Sequence, residues 1–365
     1  MTRPRLRDLG IVIGRHPTGP LNAITDIEGV RIGHATLVRE SPTVVRTGVT
    51  AIWPRDGIWD DYCFAGFHSF NGFGEMTGTI WLAEQGLLGA PIGLTNTYAI
   101  GAAHEAICRY AVDRGIPQAF HLPVVAETWD GWLSDAETFP VTVDLAREAI
   151  DAAKPGPVAE GNVGGGTGMI THEFKGGIGT ASREVETPAG RYRVGALVQS
   201  NYGRRYSLTV AGVPVGEAIG PDKVPSDGFG AQADPKSSII VVLATDAPLL
   251  PIQCQRLARR ATVGLARAGG IGNNGSGDIF LAFSTANHVR QPETASEVRT
   301  LQPDAMTELF EGAAEATEEA ILNALVAAET MTGYKGRVVH ALPHDLLLET
   351  MARYGRGPDT GRAGR

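Results

Sequence analysis

Pro235-Lys236-Ser237-Ser238-Ile239-Ile240-Val241-Val242-Leu243-Ala244-Thr245-Asp246-Ala247-Pro248 places two serines directly before five large apolar residues, four of them β-branched. Asp246 and Pro248 stop the run. A short continuous apolar run of this kind reads as a strand buried on both faces, because length, branching and flanking prolines all disfavour a helix. Ser238 then stands at the mouth of a central strand. Asn273-Asn274-Gly275-Ser276-Gly277-Asp278 leads into Ile279-Phe280-Leu281-Ala282-Phe283 in the same way. Two such strands bring hydroxyl and carboxylate groups to one end of a sheet, where sheet proteins build sites. Serine and glycine are also ordinary turn residues before strands.

The chain of 365 residues is 43% hydrophobic, ample for a core, and its net charge of −8 comes without a basic stripe. That disfavours a nucleic-acid partner. No apolar run reaches the roughly 18–20 residues a membrane span needs, and the N-terminus has no apolar core of a secretory signal. A cytoplasmic protein is expected. The three cysteines, Cys63, Cys108 and Cys254, lack CxxC spacing and read as small buried hydrophobes. The nine histidines are scattered without HExxH. Neither metal nor cofactor is expected.

Along the chain, Gly10-Ile11-Val12-Ile13-Gly14, 29–37 and 48–54 read as strands. Residues 60–78, crowded with Tyr62, Phe64, Phe67, Phe70, Phe73 and glycines, read as a loop that either lines a pocket, with Glu75 supplying charge, or covers an aromatic minicore. Residues 99–113 and 141–153 have helical spacing. Residues 121–131 read as a strand running into a polar turn with Glu127, Trp129 and Asp130. The glycine run from Gly161 to Gly168 fits no phosphate-loop pattern; it suits either an oxyanion or a tightly packed crossing. Residues 190–201 form a strand opening into Gln199-Ser200-Asn201-Tyr202-Gly203. Residues 212–236 read as an exposed, proline-rich loop, 251–268 as one helix and 303–332 as the longest helix, whose Glu308, Glu311, Glu315, Glu318 and Glu319 read as a solvated face. A last strand covers 337–342, followed by a polar tail from Gly355.

The chain resembles the L-aminopeptidase/D-amino acid esterase family, also called the β-aminopeptidase family, of self-processing serine hydrolases. Arg7-Asp8-Leu9-Gly10, Asn22-Ala23-Ile24-Thr25-Asp26, Gly161-Asn162-Val163-Gly164-Gly165-Gly166-Thr167-Gly168, Ala244-Thr245-Asp246-Ala247-Pro248 and Asn274-Gly275-Ser276-Gly277-Asp278 carry the resemblance. Their order across the whole chain, more than any one of them, makes it specific. The resemblance implies one α/β domain, a four-layer αββα sandwich of two mixed sheets between helices. It also implies self-cleavage between Ser237 and Ser238 into associated chains 1–237 and 238–365, and a tetramer of such units.

Carried onto this sequence, the family's nucleophile falls on Ser238, its second serine and acid on Ser276 and Asp278, and its oxyanion-hole amide on Asn201. A tyrosine associated with that hole falls on Trp129, which has an N–H but no hydroxyl. Relatives often carry Gly or Asn before the nucleophile, so Ser237 is a departure; Lys236-Ser237 is the next bond to consider.

A serine hydroxyl needs a base. A free Ser238 α-amine, with a reference pKa of about 7.7–8.0, is one choice, and a relay through Ser276 and Asp278 is the other. Glu127 and Asp130 are the counter-charges for a substrate ammonium. The expected activity is hydrolysis of amides, peptides or esters bearing a free amino group. Two alternatives are an acyltransferase of the ornithine acetyltransferase-like fold and a non-enzymatic protein binding a ligand at Gly161–Gly168.

Overall fold

Residues Ser237–Thr245 form a strand in which every residue is buried. Ile240, Val242 and Ala244 enter the layer between two sheets, while Ile239, Val241 and Leu243 face helices behind. The computed structural model, which describes residues 3–118, 120–226 and 237–357, builds the rest around this strand.

In chain order the elements are β1 (Arg31–Arg39), β2 (Val45–Trp53), β3 (Asp61–Gly72), α1 (Thr79–Gln85), β4 (Leu87–Leu88), β5 (Ile92–Asn96), α2 (Ile100–Asp113), β6 (Val125–Thr128) and α3 (Val143–Asp151). There follow β7 (Ile170–Thr171), β8 (Phe174–Lys175), β9 (Gly177–Thr187), β10 (Gly190–Asn201), α4 (Val215–Ala218), β11 (Ser237–Thr245), α5 (Pro251–Ala258) and α6 (Ala261–Arg267). The chain closes with β12 (Ser276–Arg290), α7 (Met306–Ala327), β13 (Met331–Thr332), β14 (Val338–Val339) and α8 (His344–Arg353).

One sheet runs β1-β2-β5-β6 and the other β4-β3-β12-β11-β10-β9. Both are mixed: β5 pairs parallel with β6, and β11 parallel with β12, amid antiparallel neighbours. Helices α2 and α3 cover the small sheet, and α5, α6 and α7 cover the large one. This is the expected four-layer αββα sandwich. No helix among the described residues is long and apolar enough to cross a membrane.

Several local expectations are corrected. Ile11 and Ile13 are 2% exposed and Val12 58%, so the alternation is real. Yet the segment pairs with no strand among the described residues; it packs against α8 and the end of α7. Most of the aromatic stretch expected as a loop is strand β3, which ends at Gly72; beyond it the Phe73 N–H still donates to the Ser276 carbonyl at 3.3 Å and Met76 bridges to Ala126 of β6. The long basic helix breaks at Arg259-Arg260 into α5 and α6. The last strand shortens to β14.

Residues 212–226 are not an exposed linker: they fold α4 and bury Val213, Val215, Ile219 and Val224. Residues 227–236, including Pro235 and Lys236, and the tail beyond residue 357 lie outside the described residues.

The acids of α7 are the largest correction. Glu315, Glu318 and Glu319 are buried, because the N-terminal segment lies over Glu315 and Glu319 and α6 packs beside Glu318, on the face expected to meet solvent. Arg183 of β9, itself buried, holds Glu315 at 3.0 Å and Glu319 at 2.6 Å, and Arg7 holds Glu319 at 2.7 Å.

Candidate active site

Ser238 sits where the small sheet ends above the start of β11. In the antiparallel register Asn201 lies opposite Ser238, and in the parallel register Ser276 lies beside Ser237 and Gly277 beside Ser238. Paired residues of a ladder share a face. Ser238 and Asn201 therefore face the small sheet, whereas Ser237, Ser276 and Asp278 face the helices. The turn does not aim Ser276 and Asp278 at the Ser238 hydroxyl; it brings them to the other side of the same strand start.

On the small-sheet face a cleft of about 500 Å³ opens, with Ser238, Ser237 and Gly275 at its base. Gly72, Phe73, Gly74 and Glu75 form one wall, and Thr97, Tyr98, Glu127 and Trp129 the other. The end of the aromatic stretch does line a pocket. Tyr98 meets Trp129 edge-on at 5.2 Å between ring centroids, giving that wall an apolar rim.

Ser238 Oγ donates to the Ser237 carbonyl at 2.5 Å and accepts the Gly277 N–H at 3.2 Å. Such an approach requires glycine at 277: a Cβ there would stand 2.7 Å from the Gly74 Cα and the Phe73 carbonyl oxygen. The Asn201 amide accepts the Ile170 N–H at 2.8 Å and donates to the Trp129 carbonyl at 2.9 Å. Its Nδ2 carries a second hydrogen. Gln199, one alternation further in, bridges to Thr95 O at 2.8 Å and Thr128 Oγ1 at 2.9 Å, which ties the two sheets together below the cleft.

Glu127 and Asp130 part company. The Glu127 carboxylate lines the cleft, accepts the Glu75 N–H at 3.1 Å and the Thr97 hydroxyl, and is raised above the usual carboxylate range by burial. Asp130 is fully buried and lines no part of the cleft; burial pushes it up to about 7, against the lowering effect of the neighbouring Thr47 and Asn96. Thr97 and Tyr98 escaped sequence reading. Their signal is Leu94-Thr95-Asn96-Thr97-Tyr98, a buried strand opening into polar groups, the same form as 125–130.

Behind β11, Ser276 Oγ donates to Asp278 Oδ1 at 2.6 Å. Burial raises the Asp278 carboxyl to about 6, against the lowering effect of Ser276. These two residues, with Ser237 and Tyr202, border a separate small cavity.

The glycine run lines neither cavity. Gly164–Gly166 form a buried turn wedged between the sheets. A Cβ on Gly165 would lie 2.0 Å from Gln199 Oε1, and one on Gly166 2.4 Å from the Ile178 nitrogen. Of the two roles open to it, a tightly packed crossing is the one observed. Among the described residues, one set of potential metal ligands comes together, His16, Glu311 and Glu315. It lies at α7, away from the cleft, and its carboxylates already accept from Arg15 and Arg183.

Comparison with known proteins agrees with this architecture. Residues 22–339 match peptidase family S58. The chain is 47% identical over 97% of its length to the beta-peptidyl aminopeptidase BapA of Sphingosinicella microcystinivorans, covering 93% of that protein. It is similar to the solved Burkholderia sp. beta-aminopeptidase, with 47% identity, a TM-score of 0.89 and coverage of 96% and 99% of the two chains. It is likewise similar to the L-aminopeptidase D-Ala-esterase/amidase of Ochrobactrum anthropi, described as a variant of the Ntn hydrolase fold, with 44% identity, a TM-score of 0.88 and coverage of 97% and 99%. With the match spanning most of the chain and the layers, sheets and cleft agreeing with it, the chain belongs to peptidase family S58.

Proposed function

We propose that this chain is a serine aminopeptidase and esterase that first cuts itself between Ser237 and Ser238, then uses Ser238 to form an acyl-enzyme with amides, peptides or esters bearing a free amino group. The observation that carries the reading is Ser238 itself. Its hydroxyl lies at the base of a cleft and 2.5 Å from the carbonyl oxygen of the bond to be cut.

In turnover, Ser238 Oγ attacks the substrate carbonyl, and Asn201 Nδ2 and the Gly277 N–H supply hydrogen bonds to the developing oxyanion. Glu127 offers the counter-charge for the substrate ammonium, since it is the buried carboxylate that faces the cleft. Trp129 forms wall rather than donor. Ser276 and Asp278 lie on the far face of the strand, so they act on the Ser238 α-amine released by the cut, which in turn serves the hydroxyl as base. Water then releases the acyl group. Chains 1–237 and 238–365 stay together, because separating them would expose β11 on both faces. Several such units assemble in the expected oligomer, which light scattering checks.

The test is hydrolysis of amino-acid p-nitroanilides and esters with and without N-acetylation. Release of p-nitroaniline from the free-amine substrate alone, with no acyl acceptor present, supports the reading. A strict need for an acyl acceptor would favour the transferase, and equal rates on acetylated substrate would remove Glu127 from its role.

A further inference from the structure

The strand start that carries Ser238 has a cavity behind it. It holds about 50 Å³ on the helix side of the large sheet, bordered by Tyr202, Arg204, Ser237, Ser276 and Asp278 among others. Tyr202 is 4% exposed and Ser237 5%. Neither Tyr202 Oη nor Ser237 Oγ meets a hydrogen-bond partner among the described residues. Leaving two hydroxyls buried and unpaired at one cavity is costly. A water needs roughly 10–15 Å³ and two to four polar partners; this cavity has the room and supplies Tyr202, Ser237 and Asp278 as partners.

We propose that this cavity is the water site of self-cleavage: Tyr202 and Ser237 position a water on the back face of the Ser237 carbonyl, opposite the face from which Ser238 attacks. The proposal rests on the self-processing reading above. In the first step Ser238 Oγ bonds to the Ser237 carbonyl carbon, the bond from that carbon to the Ser238 nitrogen breaks, and the hydroxyl proton passes to the nitrogen. An ester and an α-amine result. In the second, the water oxygen bonds to the same carbon and gives a proton to Asp278. The carbon–Oγ bond breaks, the proton passes through the α-amine to Oγ, and Ser237 is left as a carboxylic acid. Tyr202 is a positioning residue, acting through the water.

The surroundings suit Asp278 as acceptor of that proton. Its carboxyl is held near 6 by burial, in the range of a base at neutral pH. The Tyr202 phenol is pushed up by burial, with Asp278 and Glu318 adding to the effect, so it stays a hydrogen-bond donor. His172, packed on the Tyr202 ring at 4.9 Å, is lowered to about 4 by burial and is neutral. Glu318 is raised to about 7 by burial, and Arg204 and Tyr206 border the cavity.

The test follows cutting of freshly synthesised full-length chain in a cell-free system from pH 5 to 9, with uncut and cut chains separated on gels. Tyr202→Phe keeps the ring and removes the hydroxyl. It should cut about tenfold slower, the weight of one hydrogen bond to a reacting water, at an unchanged melting temperature. Ser237→Ala should slow cutting as well. In the parent the rate should fall as pH drops through about 6, and Tyr202→Phe should lower the whole profile without moving that midpoint. Hydroxylamine attacks esters without a positioned water, so adding it should restore cutting in Tyr202→Phe and leave a hydroxamate on Ser237. Parental cutting rates in both variants, or slow cutting that hydroxylamine does not restore, would overturn the proposal. A parent chain that never cuts at Ser237-Ser238 would instead overturn the self-processing reading beneath it.

Discussion

Two groups of buried carboxylates in this molecule are treated in opposite ways. On α7, Glu315 and Glu319 are bound by the guanidinium of Arg183, with Arg7 and Asn22 adding to Glu319. Burial would raise Glu319, yet Arg183 and Arg7 hold it below the usual range. Around the strand start, Glu127, Asp130 and Asp278 are as deeply buried and make no ion pair among the described residues. All three are raised by burial. Charge matched inside the fold serves the fold. Charge left unmatched is available to a proton or to a cation from outside, which is what a hydrolase of amine-bearing substrates requires.

The comparison is broken or sharpened by variants in each region. The largest effect belongs to Ser238→Ala, which should leave a folded, uncut chain with activity down about 10⁴-fold or more; parental p-nitroanilide hydrolysis would remove Ser238 from the site. Next comes Ser276→Ala, compared at equal extent of cutting. It should lower kcat by about 10²–10⁴ with little change in KM. A thermal loss with unchanged kcat would move the pair to the structural side of the comparison.

Arg183→Met strands two buried acids, and denaturant unfolding should show a loss of about 3–5 kcal/mol, with kcat of the cut enzyme unaffected. Neutral stability would break the claim that α7's acids depend on internal cations. Glu127→Gln should raise KM for free-amine substrates about tenfold to a hundredfold, the worth of a charge-assisted hydrogen bond, and steady-state kinetics check it.

The smallest effect concerns Asp130. Its folded pKa of about 7 lies above the ordinary value, so the folded state binds the proton more tightly. Stability from this group is therefore full at low pH and is lost as pH rises from about 4 towards 7. Asp130→Asn should melt higher than the parent at pH 8 and alike at pH 4. A difference of equal size at both would show that packing, not charge, governs the site.

The strands with continuous apolar runs, β11 and β12, were legible because both their faces are covered and nothing competes with that pattern. The resemblance supplied the layers and the identities of Ser238, Ser276, Asp278 and Asn201, and the register then showed which face each occupies. Alternation decides faces, but only pairing decides which face looks into the cleft. The α7 acids misled because their helical pattern is genuinely amphipathic; the segment that covers Glu315 and Glu319, from Arg7 to His16, is some three hundred residues distant in sequence. Tyr202 and Thr97 were illegible for a related reason. Each gains its meaning from a partner on another strand, Asp278 and Glu127 respectively.

The central claim is that one serine both opens the chain and performs turnover. N-terminal sequencing of the smaller chain from purified, active protein tests it most directly. The account predicts a single new terminus reading Ser-Ile-Ile-Val, beginning at Ser238. Active protein in one uncut chain, or a new terminus at any other residue, would contradict it.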